Sequence, residues 1–183
     1  MRKSFRQQWA GFGLLEVILV FALVIGAAAI TFTAFQSARP SADSDRATSD
    51  LTVLAANIKG VYAAGGNYSG IDTTGLIRNG LVPNVMIDAD KTGLVGTWEG
   101  SVVVTPEAAS LGRRFVIAYQ GIPADACTKF ILGAAPYFED VSLSTSASDP
   151  GTPVRVSNGS ISGNTVANAC GGTGPFVAFF TSK

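Results

Sequence analysis

Residues 14–35 read LLEVILVFALVIGAAAITFTAF, an apolar run broken by Glu16, Thr31 and Thr33. Twenty-two residues rising about 1.5 Å each span roughly 33 Å as a helix, enough to cross a bilayer. Arg2, Lys3 and Arg6 precede the run, and neither Lys nor Arg lies within it. That arrangement predicts a cytoplasmic N-terminus. Three kinds of segment share these features. A secretory signal peptide would use Ala27-Ala28-Ala29 as a cleavage site. A plain membrane anchor would simply stay in the bilayer. A leader followed by an assembly helix would be cut near its start and keep the apolar run. Glu16 separates them, because a carboxylate in an apolar segment is costly, and in membrane helices such a group marks a partner or a function. Neither a signal peptide nor a plain anchor needs it.

Working outward, the chain has 183 residues, enough for one compact domain plus an appended segment. Apolar residues make up 47% and charged residues 14%, an excess concentrated in the N-terminal block. Formal net charge is zero. Without Arg2, Lys3 and Arg6, ten of the 13 basic side chains remain against 13 acids, a balance of −3. Beyond this leader, Arg113-Arg114 is the one adjacent basic pair, so the patch expected of a nucleic-acid binder is missing. The two cysteines, Cys127 and Cys170, are free thiols in a cytosolic chain or one disulfide in an exported one.

Gly11-Phe12-Gly13-Leu14-Leu15-Glu16-Val17-Ile18-Leu19-Val20 resembles the processing motif of type IV pilins, with Gly13 where that family often has Thr. The resemblance implies that a prepilin peptidase cuts between Gly11 and Phe12 and methylates the Phe12 amine. Residues 1–11 would then be the leader and 12–39 the transmembrane and assembly helix. The charged Phe12 amine of one subunit would pair with Glu16 of a neighbour. In a low-dielectric bundle opposite charges attract strongly, and neither is left unpaired.

Gly26 and Pro40 each weaken a helix and could bend it, or Pro40 could mark a boundary with Ser41 or Asp43 capping a second helix. From 45 to 62, Leu51, Leu54, Ala55, Ile58 and Val61 recur at helical spacing. Residues 40–65 therefore read as the amphipathic half of one long helix, ended by Gly65-Gly66. Residues 66–98 read as a connecting loop with a short helix around 73–81. Strands are expected at 101–105, 114–119, 154–157 and 175–180, from their β-branched and aromatic content. A helix opening at Pro123 is expected within 122–138, and 144–153 reads as a loop. The sum is an α+β fold: a long N-terminal helix packed on an antiparallel sheet, with residues 66–183 as the globular head. The apolar half has no partner within one chain, so it must sit in lipid or against copies of itself.

Two further stretches narrow the likeness. Gly121-Ile122-Pro123-Ala124-Asp125-Ala126-Cys127-Thr128-Lys129-Phe130 and Ala169-Cys170-Gly171-Gly172-Thr173-Gly174-Pro175-Phe176 are similar to the two cysteine segments of type IVb pilins such as the toxin-coregulated pilin. This implies that Cys127 pairs with Cys170 and closes a lobe over 128–169. It also implies a major pilin that polymerises into a surface fibre for adhesion, aggregation or conjugative contact. Its partners would be copies of itself, the prepilin peptidase, an assembly ATPase with an inner-membrane platform, and an outer-membrane secretin. The chain would pass from the inner membrane to an extracellular fibre, with no cofactor, metal or nucleic acid. The alternatives are a minor pilin or secretion pseudopilin, and a secreted disulfide-bonded binding module.

Enzymatic signatures are sparse. The chain has no histidine, no HExxH, no P-loop and no nucleophile elbow. Asp43/Asp45, Asp88/Asp90 and Glu139/Asp140 read as solvated charges. Residues 88–93 faintly resemble a calcium loop but lack its later Glu. Catalytic residues: none are expected.

Overall fold

The structure, a computed structural model, describes residues 13–149, 151–155 and 160–183. The chain divides into two compact units, Met1–Arg39 and Pro40–Lys183.

Helix α1 runs from Leu14 to Tyr62 with Pro40 inside it, so Pro40 is no boundary. Proline there has no N–H to give its own turn. The next turn is closed by a side chain as well, since Ser44 Oγ donates to the Pro40 carbonyl at 2.7 Å. A 3-10 turn, Ala63–Gly65, follows α1, and Gly66 stops it with φ 65°, a left-handed conformation that glycine adopts without strain. Leu51, Leu54, Ala55 and Ile58 are buried, as their spacing predicts, and Ala47 is buried with them. Val61 is not: it is 53% exposed. Tyr62 continues the stripe instead, packing on the core and lying 6.2 Å from the Tyr68 ring.

The rest of the second unit comprises α2 (Thr73–Arg78), β1 (Leu94–Val95), β2 (Ser101–Pro106), β3 (Phe115–Ile122), α3 (Ala124–Ala134), β4 (Asp140–Ser144), β5 (Thr152–Pro153), α4 (Gly163–Ala169) and β6 (Phe176–Thr181). The strands form one sheet in the order β1-β2-β3-β6-β4-β5, with every pairing antiparallel. The last strand of the chain thus lies in the middle, with Phe180 opposite Ile117 on one side and Val141 on the other. Both edge strands are two residues long, and β5 ends in proline, which blunts the edges against further pairing. Val102, Val104, Phe115, Ile117, Tyr119, Val141, Leu143, Ala178 and Phe180 join the α1 stripe in one core. This is the α+β arrangement of helix on antiparallel sheet that the sequence predicts.

Several details depart from expectation. Thr152–Pro153, inside the expected loop, pairs with β4. Val154 lies outside any strand, though its N–H donates to Val141 O at 3.0 Å; residues 156 and 157 fall outside the described ones. The helix expected over 122–138 is α3 followed by a 3-10 turn, Ala135–Tyr137, with Pro123 as N-cap. Between β2 and β3 two backbones come very close. Gly121 has φ 78°, and a Cβ on Gly100 would lie 1.9 Å from the Gln120 carbonyl. Only glycine fits there, beside the register shift between Tyr119 and Ile122.

Candidate functional site

The first candidate feature is the start of α1. Leu14, Val17, Ile18, Leu19, Val20, Phe21, Leu23, Val24 and Ile25 are all exposed, the least of them at 42%. At 100° per residue, positions 17–21 point in every direction, so no face of this segment is polar. Burying one such side chain completely is worth about 1.5–3 kcal/mol. Nine of them, each roughly half or more exposed, hold on the order of 10 kcal/mol that only another apolar body can release. Glu16 is also exposed and sits in the first turn, where the helix dipole favours an acid. Its N–H donates to Gly13 O at 2.9 Å. The expected cleavage and methylation residues, Gly11 and Phe12, lie outside the described residues.

Among the described residues no helix is long and apolar enough to cross a membrane. The run read from the sequence continues beyond Ala28 into positions whose side chains are not described.

The second feature is the lobe. Cys127, buried on α3, and Cys170, just after α4, form a disulfide with a Cα–Cα separation of 5.8 Å. The bridge ties α3 to α4 and encloses β4 and β5. Salt and hydrogen bonds fix α3 on α1 within the same unit. Lys129 Nζ donates to Asp45 Oδ2 at 2.8 Å, to Ser41 O at 2.9 Å and to Ser41 Oγ at 3.0 Å. Arg155 Nη2 caps the far end, donating to Ala135 O at 2.9 Å and to Phe138 O. Neither role, of Lys129 or of Arg155, is legible in the sequence. An i to i+4 pair is readable along a helix, but Lys129 and Asp45 belong to different helices.

Two of the acidic pairs contribute local ion pairs and turn closures. Glu139 joins Glu107 in holding Arg114, at 3.0 and 2.7 Å. Asp88 closes its own turn, accepting from the Thr92 N–H at 2.8 Å and its hydroxyl at 3.3 Å. Backbone N–H groups, Gly93 foremost, hold its carboxyl below the usual carboxylate range. Among the described residues no group of three or more His, Cys, Asp or Glu is placed to hold a metal.

This fold of helices on an antiparallel sheet recurs in solved proteins. The structure resembles TcpA, a type IV pilin from Vibrio cholerae El Tor, with TM-score 0.58 and 17% identity, over 77% of this chain and 99% of that one. It also resembles the type IV b pilin from Salmonella typhi, with TM-score 0.54 and 19% identity, over 74% and 97%. The fold is therefore that of a type IVb-like pilin. The sequence pattern of the Bundlin family matches residues 36–174, and the chain belongs to that family. The major structural subunits of the bundle-forming pilus from Escherichia coli O127:H6 (strain E2348/69 / EPEC) and O111:H- are each 26% identical over 117 residues. That match spans 64% of this chain and 61% of either relative, less than two thirds of their length.

Proposed function

We propose that this chain is the major structural subunit of a type IVb-like pilus, polymerising through the start of α1. The observation that carries the reading is the apolar segment exposed on every face, with the carboxylate of Glu16 at its head. Lipid satisfies such a surface before assembly and neighbouring copies satisfy it afterwards. The precursor is held in the inner membrane with its basic N-terminus cytoplasmic. A prepilin peptidase removes residues 1–11 and methylates Phe12. Residues 12–39 then form the assembly helix, 40–65 its amphipathic half and 66–183 the head. Each Glu16 pairs with the Phe12 amine of an adjacent subunit and fixes the axial register.

The relatives' role as major subunits of a pilus supports polymerisation into a fibre. An assembly ATPase, its inner-membrane platform and an outer-membrane secretin would deliver that fibre to the cell surface for adhesion, aggregation or conjugative contact. The role is structural rather than enzymatic. A minor pilin or pseudopilin differs in needing another subunit for the filament body, and a secreted binding module differs in discarding the helix.

Electron microscopy of sheared surface material tests the reading. Wild-type chain is expected to give filaments. Glu16→Val, which removes the charge yet suits the membrane, is expected to give membrane-inserted subunit and no filaments. Normal filaments from Glu16→Val would overturn the role of this residue.

A further inference from the structure

Helix α4 is held by little besides the disulfide. It has seven residues, opens on Gly163-Asn164-Thr165 and receives no side-chain cap from Ser162. Those opening residues are weak helix formers. Its hydrogen bonds are local: the Val166 N–H donates to Ser162 O, the Cys170 N–H to Val166 O and the Gly171 N–H to Asn168 O. Among the described residues no hydrogen bond or ion pair joins Gly163–Ala169 to another element. Val166 is its one buried residue, and Ala169 packs on the core only in part. Fixing the backbone of seven residues costs more than burying one valine returns. What fastens α4 is therefore Cys170.

The neighbours of α4 do not share this dependence. α3 is bound to α1 through Lys129, 2.8 Å from Asp45 Oδ2, and its Ala126 carbonyl accepts from Ser44 Oγ at 3.4 Å. Arg155 Nη2 holds the far end, donating to Ala135 O at 2.9 Å. β6, which follows α4, is paired on both sides, with β3 and with β4. Ahead of α4 the chain is anchored where Ile161 bridges to Arg155. Behind Cys170 come the exposed Gly171, Gly172 and Thr173, whose two glycines give the backbone freedom to swing.

α4 also walls two adjoining hollows. One, of about 490 Å³, lies between Leu143, Thr152 and Pro153 of the β4–β5 hairpin and Thr165, Asn168 and Ala169 of α4. The other, of about 360 Å³, shares Leu143, Thr152 and Ala169. On the α3 side of the bridge Cys127 is fully buried.

We propose that α4 is a flap latched by the bridge between Cys127 and Cys170. With the bridge closed it walls the two hollows; with the bridge open it swings off α3 while α3 and the sheet stay folded. A dithiol opens the latch. It passes two electrons and two protons to the chain, the Sγ–Sγ bond breaks to two thiols, and the dithiol becomes a disulfide. A disulfide oxidant reverses the step. The flap lies wholly within the second unit, so it does not depend on the filament reading.

Hydrogen exchange of the folded full chain in detergent, before and after dithiothreitol, tests it. Reduction is expected to speed exchange over residues 163–170 by roughly tenfold or more, with β2, β3 and β6 unchanged. Iodoacetamide is expected to label the freed Cys127 within about tenfold of its rate in denaturant. Free thiols with 163–170 still protected would overturn the flap, because α4 would then be docked by other means. Loss of strand protection together with that of α4 would also overturn it, because the bridge would then hold the whole second unit. If dithiothreitol does not reach the buried bridge, a Cys170→Ser chain gives the same readouts, and its failure to fold overturns the flap on the same ground.

Discussion

Two aspartates of the second unit, Asp50 and Asp88, feel opposite environments, and pH separates them. Asp88 is stabilised as a carboxylate by the backbone of its own turn, so its folded pKa lies below the ordinary 3.8. The native state then holds the proton less tightly than the unfolded chain. The stability tied to Asp88 is present above 3.8 and is lost as pH falls through the lowered value. Asp50 is shifted upward by burial, with Arg46 opposing. Its contribution is complete below 3.8 and falls as pH rises through the raised value. Thermal melts of the full chain in detergent across the acid range should show this. Asp88→Asn is expected to flatten the loss of Tm toward low pH, and Asp50→Asn to flatten the loss toward higher pH. A common shift at every pH would contradict both assignments.

Among the elements, α3 does most to join the parts. It is tied to α1 by Lys129, to α4 by the disulfide and to the sheet by Phe130, whose ring lies 5.0 Å from Tyr119 and 5.6 Å from Phe180. Closing about forty residues is worth roughly 3–4 kcal/mol in the chain-entropy model. Cys127→Ser with Cys170→Ser should lower unfolding stability by about that amount. Trp98 reports it directly, because its ring stacks edge-on 5.3 Å from Phe130. A denaturation midpoint unchanged by the double substitution would contradict the bridge's role.

The same elements show which parts of the fold a sequence discloses. α1, β2, β3 and β6 are legible because their apolar positions repeat locally at helical or strand spacing. β4 is not: Val141 and Leu143 alternate with Ser142 and Ser144 just before the serine-rich run 144–153 that reads as loop, and residues 140–143 alone are too short a pattern to assign. Its strand state is decided by pairing with β6, from the far end of the chain. α4 begins Gly-Asn-Thr, weak helix formers, and buries only Val166, so its docking through Cys170 is invisible to local pattern. The apolar start of α1 and the acid within it are legible from composition alone.

For the whole molecule, the contrast is between a second unit with one hydrophobic core and the start of α1, whose described large apolar side chains are exposed. Within the second unit Ser182 Oγ accepts from the Phe115 N–H at 3.0 Å while the Ser182 N–H donates to Phe115 O at 2.9 Å, so the end of the chain is closed onto β3. On the proposed reading, that exposed apolar surface at the start of α1 is what turns a folded subunit into a polymer. The intact mass and N-terminal sequence of subunits sheared from the cell surface test this most directly. The account predicts a chain beginning at methylated Phe12, with the apolar segment present and Cys127 bonded to Cys170. A mature chain beginning near Ile30, without that segment, would contradict it.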